Sequence, residues 1–242
     1  MTPAIELLCR SLSRRDKLTP AEEASLASLT QRTSHYARGS EIIAEMSRPS
    51  ASCLLVEGLA GRAVSGEDGT RQLSALHIPG DFVDLHGLLL RKMDHSIVAI
   101  SNCTVAYIPH ESLIALTATE PHLTRMLWTL TAIDAAIQRK MTALLGRHTP
   151  AQRLAHLLCE IYTRLEIVGL SSGLGFHFPI TQTELSDVLG LSVVHTNRTV
   201  GKLRARNLIS WNSQQVDILD MEGLKSLGDF DPTYLSLQSE PR

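Results

Sequence analysis

The sequence predicts an α+β fold: an N-terminal antiparallel β-roll of jelly-roll type, one long helix and a C-terminal winged helix-turn-helix. The roll is predicted by short apolar segments punctuated by turn residues, the long helix by uninterrupted helical periodicity, and the last unit by two helices around a glycine turn. The boundaries are placed at residues 1–118 for the roll, 119–146 for the long helix, 147–222 for the winged unit and 223–242 for a C-terminal tail.

Composition narrows the functional classes. The 242 residues are 43% hydrophobic and 20% charged, which is typical of a globular chain. The formal net charge is −2, so any binding of nucleic acid must come from a local cationic patch. The four cysteines are far apart and form no CxxC pair, as in proteins with reduced thiols. With no signal-peptide pattern or membrane-length apolar run, we expect a cytoplasmic protein with no membrane association.

The region from His35 to Ile108 has the sequence pattern of many short strands. Its apolar segments include SCLLVEG, RQLSALHIPG, SIVAIS and TVAYIP, and the turn signals between them are Gly39, Gly58, EDG at 67–69, PGD at 79–81 and SN at 101–102. Short strands at near-regular spacing predict an antiparallel sandwich or roll. Before this region, Thr19 and Pro20 predict the start of a short helix.

The long helix is predicted between Pro121 and Gly146, which suit a first helical turn and a C-terminal stop. Its apolar residues recur at three- and four-residue steps; they are Leu123, Leu127, Leu130, Ile137, Met141 and Leu144. Asp134 falls on the same seam. Two interpretations stay open: the seam packs on the protein's own roll, or it pairs with a second copy in a parallel dimer. In the dimer, Asp134 would be a costly polar residue that sets the register.

The stretch TQTELSDVLGLSVVHTNRTVGKLRARNLI carries the strongest functional signal. Thr181 and Glu184 have the spacing of a capping box, Gly190 ends the first helix, and Ser192 is a natural N-cap for the second. Two helices joined by a short glycine turn are typical of a helix-turn-helix, whose second helix enters the major groove of DNA. Beyond Ile209, SWNSQQVDILD predicts two short strands that complete a wing.

The second helix, predicted over residues 192–206, has an inward and an outward face. Val200 and Leu203 lie inward, whereas the N-terminal half presents polar and apolar side chains outward. By residue type, Arg198 suits guanine, Asn197 suits adenine, and a valine suits the thymine methyl group. His195, Thr196 and Lys202 suit phosphates. The predicted DNA-contacting residues are Ser192, Val193, Val194, His195, Asn197, Arg198 and Lys202.

A second interpretation of this helix stays in view: cations near a helix C-terminus can merely offset the helix dipole. That explanation fits Arg204 and Arg206. It does not account for Val193 and Val194 on the outward face beside Arg198. The pattern therefore favours DNA binding.

The order of parts, the motif PITQTELSDVLGLSVVHTNRTVGKLRARNLIS and IPGDF in the roll resemble the Crp/Fnr family of bacterial transcription regulators. The resemblance implies a homodimer paired through the long helix, a signal-sensing roll, and recognition helices in successive major grooves of near-palindromic double-stranded DNA. RNA polymerase would be a further partner of an activator. Arg198 falls where the family's principal base-contacting arginine sits, and Val194 replaces the glutamate usual four residues earlier. SVVHTNR is similar to an alphaproteobacterial branch.

The predicted effector pocket consists of Gly80, Asp81, His86 and His95. The family's cyclic-nucleotide rolls have a Gly-Glu pair followed by Arg-Ser or Arg-Thr, and neither dipeptide follows Gly80 and Asp81, which disfavours cyclic AMP. The cysteine cluster of the oxygen-sensing branch is also missing. His86 lies where a haem-dependent carbon-monoxide sensor of the family places an iron ligand, but His77, His86 and His95 lack paired metal-ligand spacing. We therefore expect neither haem nor metal; an unidentified small effector and a ligand-free roll stay open.

Two other functions are weighed against transcription regulation. A winged helix can dock on a protein instead of DNA, with a ligand-free roll as scaffold. A cupin-like roll can host a metal-dependent enzyme, but no ligand triad, nucleophile elbow, P-loop or dinucleotide loop supports catalysis here. The sequence thus predicts a sequence-specific DNA-binding regulator that is neither an enzyme nor cofactor-dependent.

Overall fold

A computed structural model of the chain describes residues 1–29, 32–66 and 71–241. The turn predicted at EDG, residues 67–69, lies outside these ranges. The chain begins with two helices, α1 (Pro3–Ser13) and α2 (Pro20–Ala27). The predicted start of α2 is confirmed, since Thr19 and Glu22 form a reciprocal capping box. The sequence did not predict α1, whose Ile5, Leu8 and Leu12 are fully buried.

The predicted antiparallel roll is confirmed. Its strands are β1 (Arg32–Tyr36), β2 (Glu41–Ile43), β3 (Ala51–Glu57), β4 (Ala60–Ser65), β5 (Arg71–His77), β6 (Ser96–Ala99) and β7 (Cys103–Pro109). Two antiparallel sheets, ordered β1-β7-β3 and β2-β6-β4-β5, enclose a core that includes Ile43, Leu55, Ile97 and Val105. Helix α3 (Gly87–Leu90) lies between β5 and β6, and α4 (His110–Thr119) follows β7.

The long helix, α5 (Pro121–Arg147), agrees with its predicted limits, and most of its apolar seam is buried within the protomer. Leu123 and Leu127 belong to the same buried cluster as α1, and Ile137 packs with Leu235 near the C-terminus. Asp134 accepts a hydrogen bond from Arg62 of the roll at 2.7 Å. These contacts favour the interpretation in which the seam packs within the protomer, where Asp134 pairs with the roll.

The C-terminal half contains the predicted winged helix-turn-helix. Its elements are α6 (Pro150–Ile167), β8 (Ser171–Ser172), β9 (Gly175–His177), α7 (Gln182–Leu189), α8 (Val193–Ala205), β10 (Ile209–Asn212), β11 (Gln215–Ile218), α9 (Met221–Gly228) and a 3₁₀ turn (Pro232–Leu235). The strands form one antiparallel sheet in the order β10-β11-β9-β8. Within the described ranges, no helix combines the length and apolarity needed to cross a membrane.

The C-terminal residues, predicted only as a tail, are packed onto the protein. A Cβ on Gly228 would come within 2.6 Å of the backbone nitrogen of His156, so α9 lies directly against α6. The His156 ring is stacked with Tyr234 and edge-on to Phe230, and Leu235 is fully buried. This segment thus helps to hold α5 and α6 together.

Among the described residues, three ion pairs join the roll to α6 and α7. Arg164 of α6 binds Asp81 at 2.5 Å. Two further pairs, Arg38–Glu184 and Arg71–Asp187, connect the roll to α7 at 2.8 and 2.9 Å. Together with a continuous apolar cluster that spans both halves, they hold the first helix of the helix-turn-helix against the roll.

Candidate nucleic-acid interface

The turn of the helix-turn-helix is built as its sequence predicts. Thr181 accepts a hydrogen bond from the backbone N–H of Glu184, whose carboxylate accepts one from the backbone N–H of Thr181. Gly190 ends α7 with φ +60°, a left-handed conformation that glycine adopts without strain. The Ser192 hydroxyl accepts from the backbone N–H of His195 and caps α8. These contacts fix the direction in which α8 leaves the turn.

The inward face of α8 anchors the helix in the core. Val200 and Leu203 are buried as predicted, and Leu208 and Ile209 close the unit behind them. Thr196 shares this face, because it precedes Val200 by four residues and Leu203 by seven. Its side chain is fully buried, so the expectation that Thr196 contacts a phosphate is wrong.

The outward face of α8 carries the predicted DNA-contacting side chains. All seven are exposed: Ser192, Val193, Val194, His195, Asn197, Arg198 and Lys202. Val194 is 62% exposed and Val193 beside it is 38% exposed, so two apolar side chains lie next to each other on this face. Within the described ranges, no hydrogen bond or ion pair engages the side chains of Asn197, Arg198 and Lys202. The face bears cations and no carboxylate, and its polar groups are available to a ligand.

Two residues of α8 have surroundings that the sequence did not reveal. The Arg204 guanidinium donates a hydrogen bond to the backbone carbonyl of Trp211 in β10, so it ties the helix to the wing. Gly201 is exposed, and a Cβ built on it meets no atom within 4 Å. Nothing within the described protein therefore requires glycine at this position.

The four residues of the predicted effector pocket fall into two contact groups. Asp81 accepts hydrogen bonds from Arg164 and from the backbone N–H of Ile78, and Gly80 lies against Val168. This pair therefore belongs to the contact between the roll and the C-terminal half. His86 and His95 instead lie beside each other, with ring centroids 5.2 Å apart.

Three histidines of the roll, His77, His86 and His95, are held neutral. Burial lowers the pKa of His77 to about 3, and the nearby Arg62 guanidinium lowers it further. Burial and then Arg62 also lower the pKa of His86 and of His95. Neutral imidazoles keep one ring nitrogen with a free lone pair, which can accept a hydrogen bond or bind a metal.

Comparisons with known proteins agree with this architecture. The family model of the cyclic nucleotide-binding domain matches residues 33–120, and that of the Crp-like helix-turn-helix domain matches residues 152–227. The transcriptional activator protein anr of Pseudomonas aeruginosa is 28% identical over 88% of this chain and 85% of its own length. The transcriptional activator protein FnrL of Cereibacter sphaeroides is 28% identical over 72% of this chain and 71% of its own length.

Solved structures share the fold. FixK2 from Bradyrhizobium japonicum superposes with a TM-score of 0.74 at 24% identity, covering 82% of this chain and 98% of that one. A CooA mutant from Carboxydothermus hydrogenoformans gives a TM-score of 0.64 at 14% identity, covering 82% and 88%. With both family models matched in order and transcriptional activators among its relatives, the chain belongs to the Crp/Fnr family of transcription regulators, with a helix-turn-helix DNA-binding domain.

Proposed function

We propose that the protein regulates transcription as a cytoplasmic homodimer that inserts α8 of each copy into successive major grooves of a near-palindromic DNA site. The observation that carries the proposal is the outward face of α8, where exposed valines lie beside Asn197 and Arg198 on a helix without carboxylates. The proposed roll function is to sense a signal. The named relatives are transcriptional activators, and for an activator RNA polymerase would be a further partner.

Different residues of α8 suit contacts with bases and contacts with phosphates. Arg198 can donate two hydrogen bonds to guanine, and Asn197 can pair with adenine through its amide. Val194 can pack on a thymine methyl group, but it cannot accept a hydrogen bond from cytosine as a carboxylate would. Lys202 and His195 lie together on one side of this face and suit phosphates. Asn197 and Arg198 should therefore provide most of the discrimination between DNA sequences.

A second copy fits the exposed side of α5. The residues exposed there follow alternating three- and four-residue steps; they are Arg125, Trp128, Ala132, Ala135, Arg139 and Thr142. This is the spacing of a coiled-coil seam. Trp128 is 65% exposed, and the small Ala132 and Ala135 allow two helix backbones to approach closely. We place the dimer contact on this stripe, opposite the seam that the protomer itself buries.

The dimer contact makes a testable prediction. Ala135→Glu should convert the dimer to a monomer, because its longer side chains would keep the two helix backbones apart and would bring like charges together where small alanines met. Light scattering should give twice the 26.5 kDa chain mass for the wild type and the single-chain mass for the variant. Ala24→Glu, at an exposed alanine of α2, is the control and should stay dimeric. A dimeric Ala135→Glu protein would contradict this placement.

Gly201 gives a prediction in which stability and binding change in opposite directions. It lies on the same line of α8 as Val194 and Arg198, at three- and four-residue steps, where a groove would approach the backbone. Gly201→Ala should raise the free energy of unfolding by roughly 0.5–1 kcal/mol, since alanine favours the helix and the site is open. DNA affinity should fall because the new methyl group meets the groove. Increased stability with unchanged affinity would reject the close approach.

Salt dependence tests DNA binding against the alternative of a protein-docking winged helix. Each phosphate contact releases counterions, so the logarithm of the affinity should fall linearly with the logarithm of salt concentration, with a slope of about −0.9 per contact. Titrating labelled duplex DNA with the full-length protein at several salt concentrations measures this slope. A slope near zero would favour the docking module.

A further inference from the structure

The chain brings together three side chains of the roll that the DNA-binding function does not use. His86 precedes α3 and His95 precedes β6, and the intervening segment folds back so that their rings are 5.2 Å apart. Asp94 lies beside them, with its Oδ1 2.6 Å from Nδ1 of His95. One ligand atom from each of the three residues can be chosen so that all lie within 4.8 Å of one another.

Two ring nitrogens of this cluster, one in each histidine, have no hydrogen-bond partner among the described residues. Within the described residues, Nε2 of His86 and Nε2 of His95 are buried and have no hydrogen-bond partner. His95 as a whole is only 6% exposed, so solvent does not serve its ring. Buried polar atoms are nearly always paired, and two unpaired nitrogens in neighbouring rings call for a ligand.

Asp94 fixes the orientation and the tautomer of the His95 ring. The carboxylate accepts the hydrogen bond from Nδ1–H, which fixes the tautomer that leaves the lone pair on Nε2. Histidine ligands of metals commonly donate their other ring N–H to a carboxylate in this way. The Arg62 guanidinium near the cluster is paired with Asp134 at 2.7 Å, so a cation would not face its uncompensated charge.

We propose that His86 and His95 bind a divalent transition-metal ion through their imidazoles, with Asp94 orienting His95. Imidazole nitrogens suit ions such as Zn²⁺, whereas Mg²⁺ and Ca²⁺ prefer oxygen ligands. The site is contained in the roll, so it does not depend on the proposed mode of DNA binding. The nine-residue separation of the two histidines lacks a paired ligand motif; only the fold brings them together.

Calorimetric titration of the metal-free full-length protein with Zn²⁺, and separately with Mg²⁺, tests the site. The wild type should bind one Zn²⁺ per chain and no Mg²⁺. Asp94→Asn should weaken Zn²⁺ binding by about 10–100-fold, the usual effect of losing a partner that orients a ligand. The Asp94 side chain is 80% exposed, so this variant should keep its fold.

His95→Ala should remove Zn²⁺ binding, and His35→Ala, at an exposed histidine of β1, should leave it unchanged. Circular dichroism of each variant checks that the roll remains folded. Wild-type protein that binds no Zn²⁺ would overturn the proposal. So would Zn²⁺ affinity that is equal in the wild type and in folded Asp94→Asn.

Discussion

Arg164→Met should lower the free energy of unfolding by about 3–5 kcal/mol, the usual cost of removing one partner from a buried ion pair. Arg164 is buried between Asp81 at 2.5 Å and Glu160 at 3.1 Å, and it also donates to the carbonyl of Leu76. Burial alone would lower the pKa of Arg164, but the two carboxylates raise it above its ordinary value. The variant would leave these carboxylates without their cation.

Urea unfolding of the wild type and the variant measures this loss. Arg71→Met is the matched control, because it also breaks an ion pair between the roll and the C-terminal half. The Arg71 side chain is 35% exposed, so its pair with Asp187 is screened by solvent and should contribute less than about 1 kcal/mol. Equal losses in the two variants would show that Arg164 is not the principal ionic connection between the halves.

Arg198→Ala should cost about 1–3 kcal/mol of binding free energy on a selected DNA site, and preference at one base pair should relax. The reason is the loss of a bidentate contact with guanine, which no neighbouring side chain of α8 replaces. Lys202→Ala should instead weaken selected and random DNA alike, because a phosphate contact carries no sequence information.

Fluorescence anisotropy with a selected duplex and a random duplex separates these effects. For Arg198→Ala the ratio of the two affinities should fall, and for Lys202→Ala it should stay constant while both affinities decrease. Arg198→Ala losses of equal size on both duplexes would remove Arg198 from the base-contacting residues and leave it as a phosphate contact.

Features that depend on neighbours in sequence could be predicted from the sequence. The capping box of Thr181 and Glu184, the left-handed turn at Gly190 and the cap at Ser192 are set by a few adjacent residues. The same holds for the limits of α5, where Pro121 favours a helix start. These local signals were sufficient to define the helix-turn-helix and the outward face of α8.

Features that depend on distant contacts could not be predicted. Periodicity predicted an apolar seam on α5 but could not identify the residues that cover it. The protein's own roll and its C-terminal segment bury this seam. Thr196 has the side chain of a phosphate ligand, yet its place on the helix turns it into the core. Asp81 resembled an effector ligand, but Arg164, 83 residues away in sequence, binds it.

The central claim is that two copies of α8 contact DNA together, and selection of bound sequences from random duplex DNA tests it most directly. The enriched sequences should be near-palindromic, with half-sites about one helical turn apart, because a two-fold dimer presents its recognition helices at that spacing. Enrichment of a single half-site, or no enrichment at all, would contradict the account.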